Sequence, residues 1–149
     1  MLGSLFCAIA KALGGCEVKD RPTIKPSGTI DLHLASSILL DKLEEMRDDE
    51  AEIYLPDANI KVYNTDDVKD TQELEEVSSI KYVAEEHDCD DFAAQLYGKF
   101  AGLVWTNVHA LNFFYDQDAT FWWIEPQTKK LSRTLEGWQG SDVRFYIAR

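Results

Sequence analysis

The chain has few of the residues that would cross-link it, anchor it to nucleic acid or carry it across a membrane. It contains only three cysteines among 149 residues, and none are spaced as the Cys-x-x-Cys pair of a zinc site. It contains 15 basic and 27 acidic residues, which gives a net charge of -12. This charge argues against a nucleic-acid partner, because phosphate contacts need clustered Lys and Arg. No run approaches the roughly 20 apolar residues of a membrane span, so none is predicted.

What the chain does have is enough apolar material for one domain. Hydrophobic residues make up 45% of the sequence, which can fill a core without disulfides. The negative charge is concentrated in residues 41–91, which hold 19 acidic and 5 basic side chains. A solvated acidic surface is the simplest interpretation of this stretch, and cation binding is the alternative.

Residues 1–30 are predicted to form an N-terminal helix and an extended arm, ahead of a domain over residues 31–149. Apolar residues near the start follow helical spacing, and Pro22 and Pro26 then favour an extended segment. Cys16 follows Leu-Gly-Gly, which leaves export as a lipoprotein as an alternative. Because no basic segment precedes it and Lys11 interrupts the apolar residues, we predict a cytoplasmic protein.

Hydrophobic periodicity predicts helices first and strands later. A helix is expected over Leu32–Arg47, capped by Asp31 or Thr29. A short acidic helix is expected to begin at Thr65-Asp66-Asp67, and another helix begins at Asp88-Cys89. Three aromatic-rich extended segments follow, at Val104–Tyr115, Thr120–Gln127 and Val143–Ala148. This order predicts an α+β fold, with helices packed on an antiparallel sheet.

Three residues in this order suit a thiol nucleophile, its base and the group that orients the base. Cys89 opens a helix, where the helix dipole favours a thiolate. A hairpin closed at residues 116–118 would pair Tyr115 with Ala119 and His109 with Glu125, so that the carboxylate could hold the imidazole. His87 is the rival base. The alternatives are a core cysteine and a structural His–Glu hydrogen bond.

Several motifs resemble a known family. Tyr54-Leu55-Pro56, Asp88-Cys89-Asp90-Asp91-Phe92-Ala93, His109-Ala110-Leu111-Asn112 and Glu125-Pro126-Gln127 resemble the papain-like cysteine protease domain at the C-terminus of the Marasmius oreades agglutinin and related bacterial and phage proteins. The resemblance implies a papain-like or transglutaminase-like core with a Cys89–His109–Glu125 triad. It also implies dependence on Ca²⁺ or a similar cation.

The acidic residues around Cys89 suggest where such a cation would bind. Asp88, Asp90 and Asp91 surround the thiol, and their negative charges disfavour a thiolate unless a cation offsets them. Oxygen-only ligands of this kind suit Ca²⁺ better than softer metals.

These patterns predict a cysteine protease that cleaves peptide or amide bonds and takes a peptide or protein as its partner. Two alternatives remain. One is a non-catalytic phage or bacterial structural or binding protein that retains the fold, and the other is a transglutaminase-like acyl transferase, which would use the same three residues.

Overall fold

The computed structural model describes residues 23–48 and 50–149, and this part of the chain contains eight strands and three α-helices. Its helices are α1 (Leu32–Met46), α2 (Thr65–Leu74) and α3 (Cys89–Tyr97), with 3-10 turns at Val77–Ser79 and Gly137–Gln139. Its strands are β1 (Gly28–Asp31), β2 (Glu52–Tyr54), β3 (Asn59–Tyr63), β4 (Gly102–Thr106), β5 (Ala110–Asp116), β6 (Phe121–Glu125), β7 (Lys130–Ser132) and β8 (Val143–Ile147). The predicted N-terminal helix and Cys16 lie outside the described residues.

The two main helices predicted from the sequence are confirmed, and their caps explain where they begin. The side chain of Asp31 accepts a hydrogen bond from the Leu34 N–H at 2.9 Å, which starts α1. In α3, Asp88 occupies the N-cap position, and its own N–H donates to Asp91 Oδ2 at 3.2 Å. The helix therefore presents Cys89 as its first residue.

The eight strands form one mixed sheet around β5. Strand β4 runs antiparallel to the first half of β5, β3 runs parallel to its last two residues, and β6 pairs antiparallel with it. Beyond these, β1 pairs with β3, β8 pairs with β4 and β2 pairs with β8, while β7 continues from β6. The β5 strand, which is buried throughout, thus lies at the centre of the fold.

The predicted papain-like fold, with N-terminal helices packed on an antiparallel sheet, is wrong. The observed architecture is mostly sheet, and its first half contributes β1, β2 and β3. Two pairings, β2 with β8 and β3 with β5, are parallel. Such pairings join segments far apart in sequence, so no local pattern marks them. The Pro- and Gly-containing stretch around Gly28 was interpreted as an arm, yet it is held as a strand by pairing with β3.

The predicted hairpin register is also wrong, by two residues. Tyr115 pairs with Phe121 rather than with Ala119. The turn is longer because the Asp116 N–H donates to Thr120 O, and Asp116 Oδ1 accepts from Thr120 N at 2.9 Å. A shift of two residues keeps every side chain on its predicted face of the sheet, whereas a shift of one would reverse them all.

Helices cover both faces of the sheet. Leu39 and Leu43 of α1 pack with Phe113 and Trp123 on one face, in a core that includes several further aromatic rings. On the other face, a second cluster joins α2, α3 and the alternate sheet residues: Val68, Leu96, Phe100, Phe114 and Ile124. Alternation along β5 and β6 thus divides the core into two halves, and the sheet between them carries the candidate site at its edge.

Candidate functional site

Cys89 is half-buried at the start of α3 and faces the beginning of β5. The backbone N–H of Ala110 donates a hydrogen bond to its thiol, which places the sulfur beside the residue that follows His109. Burial nevertheless raises the pKa of the Cys89 thiol, and the charges of Asp88 and Asp90 raise it further. These effects outweigh the hydrogen bond and favour the neutral thiol.

His109 and Glu125 form a buried hydrogen-bonded pair. His109 Nε2 lies 2.8 Å from Glu125 Oε2, and both side chains are almost entirely shielded from solvent. His109 lies in the turn between β4 and β5. The Thr106 hydroxyl stabilises this turn, because its Oγ1 accepts a hydrogen bond from the His109 N–H at 3.0 Å and donates one to Gln139 O at 2.6 Å. The contact that the sequence predicted between these two residues is therefore present, although it is made across a different strand register.

Two further residues complete this site. The sequence pattern places Trp138 in the core or on the wall of a substrate groove, and it does not single out Gln139. Gln139 Nε2 donates to Glu125 Oε2 at 2.9 Å, so the carboxylate accepts from a second buried side chain. The Trp138 ring packs against the His109 ring with centroids 5.1 Å apart, and Trp138 itself is 55% exposed. The spacing Glu136-x-x-Gln139 is a capping-box pattern and could have drawn attention to this turn.

His87, the rival base, has other neighbours. Its ring packs on Phe92 at 4.6 Å, and its Nε2 lies 3.5 Å from Gln95 Nε2. His109 is the histidine next to Ala110, whose N–H contacts the thiol. The assignment of Cys89, His109 and Glu125 as catalytic residues stays a prediction, since the geometry shows only how they are placed.

The acidic residues around Cys89 divide into two groups. Asp88, Cys89 and Asp90 each offer a ligand atom, and these atoms lie within 4.8 Å of one another. Asp88 and Asp90 also share a hydrogen bond, which lowers the pKa of Asp88 and raises that of Asp90. Asp91, in contrast, caps the helix through the Asp88 N–H. A thiol therefore replaces one of the three predicted oxygen ligands, and sulfur is a poor ligand for Ca²⁺.

The predicted Ca²⁺ site can be tested by thermal melting. If Asp88 and Asp90 bind Ca²⁺ in the native state, the melting temperature should rise with the logarithm of free Ca²⁺ and fall on addition of EDTA. Asp90→Asn should remove most of this dependence on Ca²⁺. Asp70→Asn, which removes a carboxylate from the exposed face of α2, should leave the dependence unchanged. A melting temperature that is the same in EDTA and in millimolar Ca²⁺ would leave these aspartates as ordinary surface residues.

Comparisons with known proteins connect this fold with lectins. No family model matches the sequence, and no curated protein matches it either. Several chains in solved structures do match, and two of them match over 80% of this chain, each with a TM-score of 0.65 and 21% identity. One is PSL1a in complex with E64. The other is Polyporus squamosus lectin bound to a human-type influenza-binding epitope, Neu5Acα2-6Galβ1-4GlcNAc. At this identity the likeness shows the fold alone.

These matches overturn the predicted family and activity. Both solved structures are of a lectin, so the resemblance to papain-like cysteine proteases and the predicted hydrolase activity are corrected.

The matched lectin chains are longer than the present chain. The present chain spans about half the length of each lectin chain, 51% and 49%. Among the residues that the structure describes, no helix is long and apolar enough to cross a membrane. The cytoplasmic location and the division at residue 31 stay predictions.

Proposed function

We propose that this chain is a non-catalytic binding module whose ligand is a neutral saccharide, held on the surface around Trp138. The observation that carries the proposal is a large, exposed indole fixed in one orientation at the edge of a buried polar network. Tryptophan is suited to this role because it offers an apolar ring surface together with a polar N–H.

The indole is fixed by contacts on several sides. Its Nε1 donates to Glu136 Oε2 at 2.6 Å, and one side of the ring packs on His109. The turn beneath it is closed by the Glu136 N–H, which donates to Gln139 Oε1 at 2.8 Å. Because these contacts already restrict the ring, little conformational entropy remains to be lost when a ligand binds. A sugar could stack its C–H face on the open part of the indole.

The electrostatics of the site favour binding over catalysis. Glu125 accepts from His109 and Gln139 and also from the Gln127 N–H at 3.3 Å, so three donors already converge on this carboxylate. The neutral form of the Cys89 thiol is favoured by burial and by the neighbouring aspartates. A thiol in this state is a weak nucleophile.

The net charge indicates which sugars to expect. The excess negative charge lies in residues 41–91 and acts on a ligand at Trp138 only at long range, so it should favour an uncharged glycan over a sialylated one by a modest amount. The sugar in the Polyporus squamosus lectin complex supplies a matched pair of probes, Galβ1-4GlcNAc with and without the terminal Neu5Ac.

A titration of the full chain with both glycans, followed by calorimetry and tryptophan fluorescence, tests the proposal. We expect the neutral disaccharide to bind and Trp138→Ala to weaken it at least tenfold, equivalent to about 1.4 kcal/mol. Tyr82→Ala is the matched control, because Tyr82 is exposed to a similar degree, 54%, but is not part of the Trp138 surface. Its affinity should stay within about twofold of the wild-type value.

Three results would overturn the proposal. The first is the absence of saccharide binding at millimolar concentration. The second is equal binding by Trp138→Ala and wild type. The third is turnover of a peptide substrate that Cys89→Ala abolishes. Incubation with E64, the compound bound to PSL1a, adds a direct check by intact mass, since a covalent adduct on Cys89 would show a reactive thiol.

A further inference from the structure

Four buried polar residues next to Trp138 form a closed ring of hydrogen bonds, and none of the four is more than 6% exposed. Thr106 Oγ1 donates to Gln139 O at 2.6 Å, and Gln139 Nε2 donates to Glu125 Oε2 at 2.9 Å. The same Glu125 oxygen lies 2.8 Å from His109 Nε2, and the His109 N–H donates to Thr106 Oγ1 at 3.0 Å, which closes the ring. Because the hydrogen bonds of a connected buried network reinforce one another, these residues hold one another in place.

Trp138 is connected to this ring at two points. Through the main chain it directly precedes Gln139, whose carbonyl oxygen accepts from the Thr106 hydroxyl. Through its side chain it packs on the His109 ring, with the ring centroids 5.1 Å apart. The Thr106 hydroxyl bonds to both of these neighbours. One buried group therefore fixes the backbone next to the indole and also the residue against which the indole packs.

The chain around Thr106 is built for a close approach of the two turns. Gly140 has a φ of +87°, and a Cβ there would lie 2.8 Å from Thr106 Oγ1 and 2.5 Å from Asn107 Oδ1. The pairing of β4 with β8 also shifts register between Trp105 and Thr106. Such irregularities redirect a side chain and are common beside functional sites. The end of β4 thus turns its hydroxyl toward the turn that carries Trp138.

We infer that Thr106 is a positioning residue for ligand binding, because its hydroxyl sets the orientation of the Trp138 indole. Thr106 has no exposed surface, so it does not touch a ligand itself. Without the hydroxyl, the Gln139 carbonyl and the His109 N–H both lose this partner, and the two supports of the indole loosen together. A more mobile ring must lose more conformational entropy when a ligand stacks on it. The effect on affinity rests on the proposed function, whereas the orientation of the indole can be measured without a ligand.

The test uses Thr106→Val, which replaces the hydroxyl with a methyl group of similar size. Fluorine NMR of the full chain labelled with 5-fluorotryptophan reports the indole, and Trp138→Phe assigns its resonance. Thr106→Val should move the Trp138 resonance toward its position in the urea-unfolded chain and weaken binding of Galβ1-4GlcNAc about fivefold. Thr106→Ser keeps the hydroxyl, so it should restore most of both properties.

Tyr115→Phe is the matched control for stability. The Tyr115 hydroxyl is buried in the core beside α1 and donates to Ala35 O at 3.2 Å, so this variant also loses one buried hydrogen bond. It should lower the melting temperature and leave the Trp138 resonance and the saccharide affinity as in the wild type. If Thr106→Val does not fold, Gln139→Met breaks the ring at its bond to Glu125 and is judged by the same two measurements.

The outcomes separate this inference from the proposed function. A wild-type Trp138 resonance and wild-type affinity in Thr106→Val would overturn the positioning role and leave the binding function standing. A displaced resonance in Thr106→Val, with no saccharide binding by the wild-type chain, would overturn the binding function and leave the positioning of the indole standing. An equal loss of affinity in Tyr115→Phe would show that affinity follows stability alone, and it would also overturn the inference.

Discussion

Replacing Glu125 with alanine should lower the free energy of unfolding by about 3 kcal/mol, because the change removes one partner from a buried ionisable pair. The Glu125 side chain is 3% exposed, and it accepts hydrogen bonds from His109, Gln139 and the Gln127 backbone. The variant leaves the two buried side-chain donors without an acceptor, and each such loss costs about 1–3 kcal/mol. Urea unfolding at neutral pH measures the effect directly.

The matched control is Glu73→Ala, at an exposed position of α2. Its stability should stay within about 0.5 kcal/mol of the wild-type value, as for ordinary surface substitutions. Gln139→Ala should fall between the two, since it removes one donor to Glu125 and the cap on the Glu136 N–H. If Glu125→Ala unfolds at the same urea concentration as Glu73→Ala, Glu125 is not part of a stabilising network.

The contact between His109 and Glu125 was predictable because both residues lie at the same end of the β5–β6 hairpin, His109 just before β5 and Glu125 at the end of β6. The expected hairpin register was wrong by two residues, yet a shift of two leaves both side chains on the same face. The longer turn that caused the shift depends on Asp116, whose carboxylate accepts from the Asp118 and Thr120 N–H groups at 2.9 Å. The sequence Asp116-Gln117-Asp118 fits such a turn, but it fits a three-residue loop equally well.

Other parts of the fold could not be predicted from local sequence patterns. Helix α1 was predicted from its apolar spacing and from Asp31, and both features lie within one segment. In contrast, β2 has only three residues and exists because it pairs with β8, more than 90 positions later. The mixed sheet therefore depends on pairings between distant segments, and local sequence patterns indicate only pairings between neighbouring ones.

The electrostatic setting of the Cys89 thiol could not be predicted from the sequence. A cysteine at a helix start gains from the helix dipole, but the same helix start here carries Asp88 and Asp90. The effect of their charges and of burial on the pKa of the thiol depends on where the side chains point, which the sequence does not show. The contacts of Trp138 with His109 and of Gln139 with Glu125 were not predicted for a related reason, since they form only in the folded chain.

The pH dependence of Cys89 alkylation should show a thiol whose pKa lies above its ordinary value. Raising the pKa leaves less thiolate at a given pH, so iodoacetamide should react with Cys89 more slowly at pH 7 than with an unstructured cysteine peptide. Below its pKa the rate should rise about tenfold per pH unit. Asp90→Asn removes a charge that raises the pKa, so the reaction should become faster.

Peptide-mapped alkylation of the full chain in EDTA, from pH 5 to pH 10, is the measurement that tests the non-catalytic account most directly. Mapping separates Cys89 from Cys7 and Cys16, and Cys89→Ala defines the background. The account predicts little reaction at pH 6 and a rate that is still rising above pH 8. A rate at Cys89 that is already near its maximum at pH 6, and that falls sharply in His109→Gln, would reveal a thiolate paired with an imidazolium and would contradict it.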